Sequence, residues 1–418
     1  MFLSKTERDF LLNTGREISK TQQRYIRYKL RRKLKQFYGV ELPLLIEKGY
    51  IMTNVAANTN AVAAGGHVPM NKRIKLAWNT LKMIQLMARM SHGKASAPAK
   101  IILFGEHFVV YGSPAILAAI NKRVSVDTYT TIGEEDKIVI RSDIGVAGRY
   151  SNDGEFNALE GGMKSKAVLD PLYNAIKEVL LIRNEKRVGI EVCISSKVPP
   201  SIGLGSSAAS CVATVAAVAS LFQKNPIRQK VCELAIRSEK LIHKRTSGAD
   251  CYVSTFGGLM QYYGKSKSFK NIETKGSLSL VVASTGIKHS TSDLVAGVKR
   301  FKDTNRILFE SLSKQASDIC LQACTAIKSG KCDKIGELMN ENQIILQQIG
   351  ISHHKVRDII DICSKAGAMG AKITGAGGGG AVIALAASKQ ESTKIASHVK
   401  AAGYQSFEVE IDYKGLYV

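Results

Sequence analysis

Four short stretches of this sequence bring together residue types that handle phosphate and protons. The first is Pro200-Ser201-Ile202-Gly203-Leu204-Gly205-Ser206-Ser207-Ala208. It follows an alternating, strand-like run at 189–195 and opens into an Ala/Val-rich run at 212–222. Strand, glycine-rich turn, hydroxyls, helix is the order that builds an anion site. Gly203 and Gly205 tolerate positive φ and let backbone N–H groups come close to a ligand. The first turn of the helix adds unpaired N–H donors and about half a positive charge, and phosphate is the usual guest there. The stretch lacks the lysine of GxxxxGK[ST], with Ser206 and Ser207 in its place, and it does not read as GxGxxG. The alternative is an ordinary glycine turn with Ser206 as N-cap.

The second stretch runs from Ala97 through Lys100 to Gly105-Glu106-His107-Phe108-Val109-Val110-Tyr111-Gly112. A lysine at the start of an apolar strand is costly unless paired, and an acid and an imidazole share the turn at the strand's far end. The structural alternative has Lys100 snorkelling to solvent and His107 as a satisfied core histidine. The third stretch is Glu239…His243…Ser247-Gly248-Ala249-Asp250, ahead of a strand-like run at 252–256. One of its carboxylates could take a proton while the other holds a metal; the alternative is capping by Ser247 and Asp250. The fourth is Lys372-Ile373-Thr374-Gly375-Ala376-Gly377-Gly378-Gly379-Gly380 between two strands. Four consecutive glycines cost conformational entropy, and close approach of backbone to a ligand explains them better than packing does.

The elements that must position these residues read as a compact α/β texture from residue 94 onward. Strands are expected at 100–104, 123–130, 137–141, 189–195, 278–284, 371–374, 381–386 and 406–411, with an apolar continuation at 115–120. Helices are expected at 169–182, 225–244, 305–328, 331–349, 354–366 and 389–402. Residues 1–93 differ. They hold 17 Lys/Arg against 5 Asp/Glu within a chain whose formal net charge is +24. Ile26, Leu30, Leu34 and Phe37 mark one helix face there, and an Ala/Asn/Gly-rich linker follows at 52–70. This segment reads as a solvated basic helical extension in preference to a nucleic-acid-binding arm.

At 418 residues the chain is expected to hold more than one domain. No run reaches the roughly 18 apolar residues of a membrane span. Met1-Phe2-Leu3 leads directly into Lys5, Glu7, Arg8 and Asp9 without an apolar signal region. None of the eight cysteines forms a CxxC pair, so free thiols in a reducing cytoplasm are expected.

In this order, the four stretches resemble the GHMP kinase superfamily of galactokinases, homoserine kinases, mevalonate kinases and phosphomevalonate kinases. The continuation Phe108-Val109-Val110-Tyr111-Gly112 after Gly-Glu-His is of the mevalonate kinase form, as is the stretch from Thr246 to Gly258. Ser201-Ile202 and Ala99 depart from the residues common in the superfamily, while Gly203–Ser207 is intact. The resemblance covers about residues 94–418. It implies an α+β fold with an S5-like ATP-binding domain at 94–275 and a ferredoxin-like domain at 276–418. It also implies phosphorylation of mevalonate to 5-phosphomevalonate by ATP with Mg²⁺, and it is compatible with a homodimer. A kinase for another small alcohol, such as phosphomevalonate, is the alternative, as is a non-catalytic sensor that binds nucleic acid through residues 1–93.

Carried over residue by residue, the resemblance makes Asp250 the catalytic base or the charge that orients the acceptor hydroxyl, with Lys100 beside it. Residues 200–208, from Pro200 to Ala208, would cradle ATP. Ser207 and Glu239 would hold Mg²⁺. His107, Ser247, Thr291, Gly377 and Gly378, with Lys100 and Asp250, would line the acceptor pocket.

Overall fold

The computed structural model of the chain describes residues 91–131, 137–151, 153–183, 189–199, 202–223, 225–240, 247–266, 268–287 and 291–418. The expected helix and linker within residues 1–90 lie outside these, as do Pro200 and Ser201. Lys94–Asp127, Ile138–Lys186 and Val192–Val418 pack as one unit, which holds every site residue discussed below. In the other unit, Ser91 N donates to Thr130 Oγ1 at 2.9 Å and the His92 ring stacks on Tyr129.

Chain order begins with β1 (His92–Phe104), β2 (Pro114–Thr131), β3 (Lys137–Ser142), β4 (Val146–Ser151) and β5 (Phe156–Glu160). Helix α1 (Ser165–Arg183) and strand β6 (Gly189–Ser196) follow. Next come α2 (Ser206–Ser220), α3 (Arg228–Lys240) and α4 (Ala249–Phe256), then β7 (Leu259–Tyr263) and β8 (Ser268–Ile272). The first eight strands form one sheet in the order β5-β4-β3-β6-β2-β7-β8, with β1 paired to β2. The two pieces expected at 115–120 and 123–130 are one long strand. Its first half is buried continuously and its second half alternates, so only the second half reads as a strand by period. Helix α2 is buried almost all round. Its Ala, Ser and Val side chains are small enough to let α1, α3 and α4 close on it.

The second half runs β9 (Ser279–Ser284), α5 (Thr291–Thr304), α6 (Arg306–Ser329), α7 (Cys332–Gln348), α8 (His354–Lys365), β10 (Gly370–Thr374), β11 (Ala381–Ala386), α9 (Lys389–Ala401) and β12 (Gln405–Val409). Its four strands are ordered β10-β11-β9-β12, all pairs antiparallel. Reading β9, β10, β11 and β12 as first to fourth gives the 4-1-3-2 order of a ferredoxin-like βαββαβ unit, with four helices filling the first crossover. The two central strands, β9 and β11, are continuous apolar runs because both their faces are covered. The open edge of β10 is closed by side chains of α7. Asn340 Oδ1 accepts from Ala371 N at 3.0 Å and Gln343 Oε1 from Ile373 N at 2.9 Å. Arg123 ties the C-terminal tail to β1. It donates to Ser96 O and Gly415 O, both at 2.7 Å, and pairs with Asp412.

Candidate active site

The anion turn is held from below by two buried side chains, Ile202 and Leu204. Leu204 O accepts from Lys100 N at 2.9 Å, which joins the turn to β1. Gly203 and Gly205 have φ of 83° and 72°, the left-handed region that glycine enters freely. Gly205 is the N-cap of α2 and no side chain caps the helix. Ser206 is therefore the first helical residue and not the N-cap of the alternative reading. The helical ladder starts with Ala209 N donating to Gly205 O at 3.1 Å, so the N–H groups of Ser206, Ser207 and Ala208 precede it and point outward. Beside them lies a cavity of about 210 Å³ walled by Ser206, Ser207 and Ser210 on one side and by Ile144, Leu172 and Val198 on the other.

Lys100 does not snorkel. Its aliphatic stem runs across Gly205, where an added Cβ would fall 2.8 Å from Cγ and 3.0 Å from Cε. Its Nζ reaches Asp250 Oδ2 at 3.2 Å, with the lysine side chain 6% exposed and the aspartate 34%. The ion pair offsets the cost of burying the ammonium. The aspartate keeps one side open to an incoming group.

Asp250 sits in the first turn of α4, and here the strand-like reading of 252–256 is corrected: the segment is helical. Gly248, at φ 78°, is the N-cap, and an acid in the first turn favours the helix dipole. Ala249 and Val253, four apart, face one apolar cluster with Met260 and Tyr262. Tyr252 and Phe256, also four apart, meet at 4.4 Å. Ser247 is exposed, and its Oγ accepts from Ala249 N at 3.2 Å, so its side chain does help to start the helix.

Glu239 is buried in the last turn of α3. The Cys251 thiol donates to its Oε2 at 3.4 Å. Burial, reinforced by the field of Glu239, pushes that thiol well above its ordinary range and keeps it a donor. The backbone thus carries Asp250 and, one residue on, the group that holds Glu239. Among the described residues no cluster of three or more His, Cys, Asp or Glu could cage a metal. A single buried carboxylate with the Ser207 hydroxyl is instead a sparse, hard-oxygen donor set. It fits Mg²⁺, which takes most of its ligands from phosphate and water.

The Gly-Glu-His turn docks on β10 and the glycine loop. Thr374 Oγ1 accepts from Ile102 N at 2.9 Å and donates to Ile102 O at 3.0 Å. His107 Nε2 meets Ala376 O at 2.8 Å, which assigns the proton to Nε2. Burial lowers the pKa of His107, so the ring is neutral at pH 7. His107 has φ 59°, alone among the described non-glycine residues in being positive. Glu106 and Lys372, both fully buried, form an ion pair.

Gly375 and Gly377 to Gly380 all have positive φ. The packing explanation is stronger than the sequence suggested. An added Cβ would fall 2.7 Å from Ile351 O at Gly377, 2.6 Å from Leu294 Cδ2 at Gly378 and 2.9 Å from Ile287 Cβ at Gly379. The loop also reaches the anion turn, since a Cβ at Gly375 would lie 3.4 Å from Gly203 O. Thr291 opens α5, exposed; one turn on, Leu294 packs against Gly378.

The structure therefore joins Lys100, Asp250 and Gly205 directly, and His107 to the glycine loop. Ser207 and Glu239 stand on separate helices that pack together. Sequence reasoning gave no role to Lys372 or Cys251. A lysine inside the apolar strand 371–374 is the same signal that singled out Lys100.

The family model for the GHMP kinases N terminal domain matches residues 171–258, and that for the GHMP kinases C terminal domain matches 323–405. The mevalonate kinase of Pyrococcus furiosus is 39% identical over 333 residues, which span 77% of this chain and 97% of that protein. The mevalonate kinase of Pyrococcus abyssi is 38% identical over 331 residues, 77% of this chain and 96% of that one. Among solved structures, L. major mevalonate kinase in complex with R-mevalonate matches with a TM-score of 0.67 and 30% identity, covering 77% of this chain and 96% of that one. The chain belongs to the GHMP kinases, in the mevalonate kinase family.

Proposed function

We propose that this protein transfers the γ-phosphoryl group of ATP to the primary hydroxyl of mevalonate, giving 5-phosphomevalonate and ADP. The observation that carries the reading is the Lys100–Asp250 pair, 3.2 Å apart, laid across Gly205 at the start of α2. The N–H groups of residues 206–208 and the flanking hydroxyls bind the phosphate chain, and the neighbouring cavity takes the nucleoside end. Asp250 orients the acceptor hydroxyl and receives its proton as the oxygen bonds to phosphorus. The bond from phosphorus to the bridging oxygen of ADP breaks, and the leaving diphosphate carries the displaced electron pair. Lys100 stabilises the charge gathering on the equatorial oxygens, where a loose transition state needs it most. Glu239 and Ser207 would hold Mg²⁺, which when bound neutralises phosphate charge. His107, Ser247, Thr291, Gly377 and Gly378 line the acceptor side.

All eight cysteines are free, as suits a reducing cytoplasm, and the described residues contain no helix long and apolar enough to cross a membrane. We place the junction of the two domains at residues 275/276, between the strands of the two sheets. Residues 1–93 take no part in this reading. The test is ADP release with mevalonate, phosphomevalonate, homoserine and galactose offered separately. Turnover with mevalonate alone is expected. Preference for any of the other three would overturn the assignment.

A further inference from the structure

Two side chains on one face of β10, those of Lys372 and Thr374, and the backbone of Ala376 in the turn beyond it grip three residues at the end of β1 and the turn after it. Thr374 holds Ile102 through two hydrogen bonds, Ala376 O holds the His107 ring, and Lys372 pairs with Glu106. Lys372 and Thr374 share a face because side chains two apart on a strand point the same way. The grips on Glu106 and His107 fall on the turn whose backbone is under strain.

A positive φ at histidine persists only where its surroundings over-determine it. Short-range bonds supply part of that: Phe108 N donates to Glu106 O at 2.7 Å and Val110 N to His107 O at 3.1 Å. Phe108 is pinned on the other side by Phe309 of α6, with ring centroids 5.4 Å apart. Val109 N also donates to Gly105 O at 3.1 Å, and a further fixed point is the Glu106 side chain, which Lys372 holds in the core. Lys372 is held in turn, since its ammonium also donates to Ile373 O at 2.7 Å.

Stability alone does not account for this pair. Burial works against both charges, and a buried ion pair can often be replaced by apolar residues of similar volume without loss. Glu106 also lies within the field of Lys100. The pair therefore sits behind both halves of the site, one residue from His107 and within electrostatic reach of the lysine at the transferring phosphoryl group.

We propose that Glu106 and Lys372 are a positioning pair that sets the geometry of the acceptor pocket: by anchoring the residue before His107 they hold its imidazole in the one orientation that receives the acceptor alcohol. This rests on the assignment of His107 to the acceptor side. It predicts that the pair governs affinity for the acceptor and leaves nucleotide binding alone.

The test is the double variant Glu106→Leu/Lys372→Met, which removes both charges together so that neither is left buried alone. Three quantities are read: thermal stability, the KM values for mevalonate and ATP, and the ring N–H signal of His107 in the ligand-free protein by ¹H–¹⁵N NMR. The expected result is a folded protein with a KM for mevalonate raised about 10-fold or more, the scale of a misplaced contact, and an unchanged KM for ATP. The Nε2–H signal of His107 should shift or broaden. A folded double variant with an unaltered His107 signal and unaltered KM for mevalonate would overturn the proposal. If the double variant does not fold, Glu106→Asp takes its place; it keeps the charge but shortens the arm, and should raise KM for mevalonate with an altered His107 signal. Wild-type values of both in Glu106→Asp would also overturn the proposal. The NMR readout uses no substrate, so failure of the wild-type protein to phosphorylate mevalonate would count against the function and not against the pair.

Discussion

Lys100 and Asp250 meet at 3.2 Å although one lies on β1 and the other opens α4. Their separation in sequence is bridged by the turn at Gly205, over which the lysine stem passes. The pair makes each partner's role separable by substitution.

Asp250→Asn keeps the shape of the side chain and removes the charge that, in the proposed reaction, receives the proton. Turnover is expected to fall by about 10²-fold to 10⁴-fold, with ATP affinity largely retained. Measuring kcat beside nucleotide binding by calorimetry decides it. A variant with near-normal kcat removes Asp250 from the mechanism.

Lys100→Met keeps most of the stem over Gly205 and deletes the ammonium. A loss of about 10²-fold or more in kcat is expected, the scale of a transition-state electrostatic contact. An unchanged rate would show that the phosphoryl charge is stabilised elsewhere.

Gly205→Ala tests whether the glycine is there for the lysine. At φ 72° alanine costs roughly 1–2 kcal/mol. Its Cβ would also press on Lys100 Cγ at 2.8 Å. Gly203→Ala meets a similar backbone penalty, at φ 83°, but open space around its Cβ. Both should melt lower, Gly205→Ala the more, and only Gly205→Ala drives the ammonium off Asp250, with kcat reduced about 10-fold or more. Equal kcat in the two variants would mean that the glycine serves the turn alone.

The contrast between these residues also marks what was legible in the sequence. Lys100 was legible because a charge in an apolar strand demands a partner. Gly205 was legible because a turn between strand and helix demands positive φ. That the lysine passes over the glycine was not legible, since it depends on how β1 meets α2. The strand-like look of 252–256 misled because Tyr, Val, Thr and Phe favour strands. Packing of Val253 and Phe256 at helical spacing overrode that preference. Helix α5 carried a visible signal, Leu294, Val298 and Phe301 at i, i+4 and i+7, beneath its charged residues. Strands β4, β7 and β8 are short and lie between stronger features. The 4-1-3-2 order of the second sheet came through family resemblance, because pairing order leaves no local mark.

Cys251 offers a test of the proposed Mg²⁺ role of Glu239. Its thiol is held protonated and donates to Glu239 Oε2. Cys251→Ala removes the donor and should raise the Mg²⁺ concentration for half-maximal rate by about 10-fold, the scale at which partners of a metal ligand act. Cys251→Ser restores a donor and should recover most of that loss. If alanine and serine behave alike, the contact is packing and Glu239 needs no partner.

His107 makes the fold sensitive to pH in a direction that can be worked out. Burial lowers its folded pKa from the ordinary 6.5, against the opposing hydrogen bond to Ala376. Below about 6.5 the unfolded chain therefore binds the proton that the folded chain refuses. Stability follows the difference in bound protons, so the contribution is complete above that value and is lost as pH falls through it. His107→Asn removes the titration and suits the backbone, because asparagine tolerates positive φ better than most residues. Urea midpoints at about pH 7.5 and about pH 5.5 give the slope for each protein, and the difference in slopes isolates His107 from the other carboxylates and imidazoles. The wild-type protein should lose more stability across that interval than the variant does, whatever their absolute values. Parallel slopes would mean that the ring accepts a proton without leaving Ala376, and that burial is not what keeps it neutral.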